Sequence, residues 1–145
     1  MCEEIGPGGE LLVWDSLTYQ KHIRRVTKRM WDRSLAVAYS AEDGSDSQYN
    51  PYLDSHAIQE FEMACAAHRA GHLIRDRGRT LTYWRKLDSD DLGETDAVGV
   101  SNGEKTNFIF VIQSRTPNGS KVHGYPITIN DLVSRKGVPK RDLDE

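Results

Sequence analysis

The chain has 145 residues, a net charge of −3, 28 % charged and 37 % hydrophobic residues, a balance that suits one globular domain and excludes a disordered polyelectrolyte. Bulk charge therefore points to no nucleic-acid partner. Two cysteines provide no disulfide framework, and a start lacking a basic, apolar leader and any long apolar run leads to the expectation of a soluble, cytoplasmic protein without a membrane partner.

In chain order, Gly6, Pro7, Gly8 and Gly9 punctuate the start, residues 10–14 read as a short strand, and Asp15 or Ser16 is placed to cap a helix. Tyr19, Ile23, Val26, Met30 and Val37 then recur at helical spacing, which predicts one amphipathic helix across residues 16–38 with this stripe turned inward. Its other side carries Lys21, Arg24, Arg25, Lys28, Arg29 and Arg33, with Asp32 the single acid in the segment. Residues 40–54, rich in Ser, Asp, Asn, Gly and Pro, read as a polar connection.

A second helix is predicted from Asp54 or Ser55 to Gly78, with Ile58, Phe61, Cys65, His68 and His72 on one side. The remainder reads as antiparallel strands at 79–87, 96–101, 107–113 and 121–128, with Asn102-Gly103 as a hairpin signal and Pro117-Asn118-Gly119 as a turn. The apolar run 107–113 is expected to be central, and Pro126 to mark an edge or a strand end. A short helix at 130–136 closes at Gly137. The implied fold is α+β: two helices packed on one face of a mainly antiparallel four- or five-stranded sheet. Residues 1–145 form a single domain in this reading, with 1–9 and 139–145 as mobile ends.

Three groups of residues invite chemistry. The six cations of the first helix either present a positive ridge to nucleic acid or an acidic protein, or are a solvated face paired with the acidic segments 42–46 and 88–96. Cys65, His68 and His72 fall at i, i+3 and i+7, a spacing that brings a thiolate and two imidazoles together on a helix; the blander alternative is a half-buried structural cluster, and no metal or other cofactor is expected. On the strands, Tyr83, Arg85, Lys86, Ser114, Arg115, Lys121, His123 and Tyr125 form a polar set. Within it His123 or Tyr83 is suited to proton transfer and Arg85 and Arg115 to clamping phosphate, as in RNA cleavage without a metal. Alternation alone also places polar groups there. No phosphate-binding glycine loop, nucleophile elbow or Cys-x-x-Cys pair is present.

The order of a strand, two helices and a strand meander over about residues 10–128 resembles that of the RelE-like toxins, small ribosome-dependent ribonucleases, and this resemblance implies metal-independent cleavage on a sheet face. No family motif carries over residue by residue. The segment Gly9-Glu10-Leu11-Leu12-Val13-Trp14 is similar to the closing stretch of PR/SET methyltransferase domains, but here it precedes the other elements. The sequence thus favours a small regulatory or inhibitory binding protein acting through the basic helix, with a ribonuclease as the alternative and a homodimer through the apolar helix face as a third possibility.

Overall fold

The computed structural model describes residues 3–143. The N-terminal half contains β1 (Glu3–Ile5), β2 (Leu11–Trp14), α1 (Ser16–Tyr19), α2 (Lys28–Asp32), α3 (Leu35–Ser40), β3 (Gln48–Tyr49) and α4 (Ser55–Ala66). There follow β4 (His72–Arg77), β5 (Thr80–Lys86), α5 (Ser89–Leu92), β6 (Gly99–Ser101) and β7 (Glu104–Thr106). The chain then runs through β8 (Phe108–Thr116), β9 (Gly119–Ile127) and α6 (Ile129–Ser134), and 3-10 turns occupy Gln20–His22 and Lys140–Asp142. The architecture is α+β, with one six-stranded sheet ordered β1-β2-β9-β8-β5-β4 and a second, three-stranded sheet ordered β3-β6-β7.

The run Phe108–Val111 sits in β8, between β9 and β5, where its apolar side chains meet neighbours on both faces. Ile109 and Val111 are wholly buried, and each such side chain contributes about 1.5–3 kcal/mol relative to exposure. Asn102 and Gly103 take positive φ values of 49° and 81° in the β6–β7 hairpin, as a two-residue turn of this kind requires. That hairpin, with β3, forms the small sheet, so β6 leads into β7 and only then into β8. Pro126 lies near the end of β9, beyond the stretch Ser120–Val122 that pairs with β2, so its missing amide hydrogen leaves no bond to β2 unmade.

Register separates the two faces of the large sheet. Leu12, Trp14, Leu81, Tyr83, Ile109, Val111 and Val122 pack with Ile58, Phe61 and Met63 of α4. Trp84, Phe108, Phe110 and Ile127 face the other way and pack with Leu132 of α6, Val138 and Leu143. A third cluster of Val26, Trp31, Ala36, Ala97 and Val100 sits where α2 and α3 meet the small sheet.

Several expectations change. The sheet is six-stranded and mixed, because β2 pairs with β9 in parallel (Leu12 with Ser120, Trp14 with Val122), and the covering helices lie on both faces rather than one. The helix expected over 16–38 is three short helices and a 3-10 turn. It breaks where Thr27 turns its side-chain oxygen back to cap α2 at Met30 N–H (3.2 Å) and where Ser34 takes φ 61°. The helix expected to reach Gly78 ends at Ala66; Gly78, at φ 64°, turns the β4–β5 hairpin instead of capping a helix. At the ends expected to be mobile, Glu3–Ile5 pairs with β2 and Leu143 is buried; Met1, Cys2, Asp144 and Glu145 lie outside the described residues.

Candidate nucleic-acid or acidic-protein interface

All six cations of the N-terminal basic segment are exposed, although they stand on several pieces of backbone. Lys21 lies in the Gln20–His22 turn, Arg24 and Arg25 in the irregular link, Lys28 and Arg29 in α2, and Arg33 just after it. Buried anchors fix this path. His22 sends Nδ1–H to the Ser47 carbonyl at 2.7 Å and stacks on Tyr125, and Trp31 donates Nε1–H to Asp96 at 3.0 Å. The amide side chain of Gln48 accepts from the Arg25 backbone N–H at 3.0 Å and donates to the Lys21 carbonyl at 2.7 Å. His22 and Trp31 thus take the inward positions beside Tyr19 and Val26, while Ile23, expected inside, is exposed.

The electrostatics of the segment follow from where the nearby acids are spent. Asp32 accepts from the Tyr52 hydroxyl at 2.7 Å, and Lys28 lies 5.2 Å above that tyrosine ring. Arg24 donates to Gln20. In the acidic segments, Asp91 pairs with Arg85 at 3.0 Å and Asp96 with Lys105 at 2.5 Å. Among the described residues, none of Lys21, Arg24, Arg25, Lys28, Arg29 and Arg33 forms an ion pair with a carboxylate.

The strand residues considered for RNA cleavage divide between the two faces of the large sheet, with Tyr83, Arg85 and Arg115 in one phase and His123 in the other. Register places Tyr83 beside Val111 and Gly124, whereas His123 stands beside Ile112 in the alternate phase, so the two proton-transfer candidates point to opposite faces. Tyr83 is buried under α4 and donates to Gln113 at 2.8 Å, with His68 Nε2 3.3 Å from its hydroxyl; burial pushes its pKa up to about 12. Arg85 is held by Asp91 and by the Phe61 carbonyl at 3.2 Å. Arg115 is exposed at the far end of β8 and donates to the Gly78 carbonyl at 3.1 Å. His123 is half-buried, its Nδ1 has no hydrogen-bond partner among the described residues, and desolvation lowers its pKa.

Cys65, His68 and His72 are not on one helix face. Cys65 ends its turn of α4 buried, with burial raising its thiol pKa to about 12; His68 has φ 59° just beyond the helix, and His72 stacks on Trp84 at 4.3 Å in β4. Among the described residues no group of three or more His, Cys, Asp or Glu side chains is arranged to hold a metal ion. No helix among them is long and apolar enough to cross a membrane.

One chemically unusual residue was missed. Glu62 is completely buried, accepts from Trp14 Nε1–H at 2.8 Å and from the Tyr49 hydroxyl, and takes a backbone bond from Gly124. Desolvation nonetheless dominates and lifts its pKa to about 7. The signal available in the sequence was its position inside the apolar run Phe61-Glu62-Met63-Ala64-Cys65-Ala66.

Compared with known protein families, curated proteins and solved structures, the chain matches no family model, no curated protein and no solved structure.

Proposed function

We propose that the protein is a small regulatory or inhibitory binding protein whose segment from Lys21 to Arg33 engages a polyanion, either nucleic acid or the acidic face of a partner protein. One observation carries this reading: six exposed cations lie within thirteen positions without a carboxylate partner among the described residues, in a molecule of net charge −3. Cations serving only to balance the acidic segments would be found paired with them. Four of the six are arginines, whose planar guanidinium groups match phosphate and carboxylate oxygens in pairs. The buried anchors His22 and Trp31 hold the backbone between them, so fewer degrees of freedom remain to be frozen on binding.

The test is the fourfold replacement of Arg24, Arg25, Lys28 and Arg29 by Ala, all exposed positions. The variant is expected to keep its thermal midpoint and to lose capture of partner from a host extract. If the partner is nucleic acid, the slope of log affinity against log salt falls by about four, one for each phosphate contact removed. An acidic protein partner gives a shallower dependence and no nucleic acid in the captured fraction. Retention of the same partners by the variant sinks the proposal. Against the ribonuclease alternative, His123 lies on the opposite sheet face from Arg85 and Arg115, and Tyr83, on their face, is buried.

A further inference from the structure

At Lys21, the first cation of the basic segment, lies a cleft of about 300 Å³ between the Gln20–His22 turn, the end of the small sheet, β9 and α6. Its cations come from separate elements: Lys21 from the turn, Arg135 and Lys136 from the end of α6. Two carboxylates share it. Asp131 is already engaged, accepting from the Asn102 side chain and lying 3.7 Å from Arg135, while Asp46 leads the loop into β3. Lys136 makes no ion pair among the described residues; its ammonium sits 4.3 Å above the Phe110 ring, and desolvation, then the charge of Arg135, lowers its pKa. A partly desolvated cation next to a second cation gains most from an incoming anion.

The back wall adds selectivity. The buried His22 ring stacks on Tyr125 with centroids 5.3 Å apart, and both line the cleft. Because Nδ1–H of His22 is committed to the Ser47 carbonyl, the neutral ring offers a lone pair at Nε2, and that buried nitrogen has no partner among the described residues. It calls for a ligand that brings a proton. A phosphate monoester has its second pKa near 6 and retains a proton on part of its population at neutral pH, whereas sulfate carries none there.

We propose that this cleft is a seat for one phosphate monoester, held by Lys21, Arg135 and Lys136, with its protonated oxygen directed to His22 Nε2. Nε2 is closed to solvent in this structure, so the bond requires a side chain of the wall to move. A free nucleotide and the phosphorylated end of a nucleic-acid strand present the same group. The seat shares Lys21 with the polyanion reading, but Arg135 and Lys136 lie outside that segment and none of the four positions replaced above lines the cleft.

Calorimetric titration of the full chain at neutral pH with inorganic phosphate, adenosine 5′-monophosphate and sulfate tests the assignment. The two phosphates are expected to bind more tightly than sulfate, and R135A and K136A, at positions outside the core clusters, each to weaken them about tenfold, the loss of one charge-assisted contact. Replacement of Arg24, Arg25, Lys28 and Arg29, none of which lines the cleft, is expected to weaken this affinity less than either single variant does, and a larger loss would assign the phosphate to the basic segment and overturn the seat. A short strand with a 5′-phosphate, compared with the same strand without one, identifies the source: a gain abolished by K136A assigns the strand end, and no gain alongside nucleotide binding assigns the free nucleotide. No phosphate binding up to about 10 mM, where even a weak site of millimolar affinity would register, overturns the proposal. So does equal affinity for sulfate, or affinity untouched by both R135A and K136A.

Discussion

Glu62 carries its carboxyl away from bulk solvent, and two aromatic donors do not fully replace the lost solvation. Its pKa is raised from 4.5 to about 7, so the folded chain holds a proton there that the unfolded chain releases. The contribution to stability is therefore complete below about pH 4.5 and declines as pH rises toward 7, a change on the order of 3 kcal/mol by linkage. His22 and His123, whose pKa values burial lowers, act in the opposite sense, making the fold less stable as pH falls below 6.5. Comparing Glu62→Gln with the wild type removes that background. The amide can still accept from Trp14 and can donate to the Tyr49 hydroxyl oxygen, so urea midpoints of the variant are expected to lack the decline between pH 5 and 7. A difference between the two proteins that is independent of pH would show that Glu62 does not titrate in this range. Sequence reasoning passed over this residue because an acid in an amphipathic helix ordinarily faces solvent. Phe61 and Cys65, read by the same periodicity, were placed correctly because their chemistry agrees with burial.

Among elements, those marked by local backbone chemistry were legible. Asp15 caps α1, Asp54 caps α4 with its carboxylate 2.7 Å from Ala57 N–H, and the turn at Asn102-Gly103 lies where its positive φ values demand. The failures came where periodicity was ambiguous. Residues 16–38 repeat apolar positions closely enough for one helix, but Thr27 offers a competing cap and the inward positions go to His22 and Trp31, whose polar atoms find partners in distant loops. His72–Arg77 looked like a helix end because its arginines suit one, whereas pairing with β5 makes it an edge strand, and those charges instead discourage a further strand from adding there. β3 was invisible because two residues carry no pattern. The small sheet meets β9 at Gly99, where an added Cβ would run into the Gln48 carbonyl and lie 2.5 Å from Pro126 Cγ. Gly99→Ala is expected to cost about 1–3 kcal/mol, as overpacking against backbone does; an unchanged denaturation midpoint would mean that the two sheets slide apart freely.

Across the molecule, the α+β class and the central place of the 107–113 run were readable, because strand composition and hairpin signals are local. The parallel β2–β9 pair and the division of helices between two faces were not, since no neighbouring residues encode a contact between strands so far apart in sequence. The resulting stability is uneven. β8 is hydrogen-bonded on both sides by β5 and β9, whereas β1 is a three-residue edge strand. Amide hydrogen exchange is expected to be at least about a hundredfold slower in the middle of β8 than in β1, and comparable rates would contradict this arrangement. The β2–β9 pairing also bears on how the chain is made. β2 leaves the ribosome roughly a hundred residues before its partner strand, a wait on the order of ten seconds at ordinary translation speed. During that interval Leu12 and Trp14 lack their permanent cover, so the nascent chain offers chaperones a sticky target, and ribosome stalling before β9 is made would prolong that exposure.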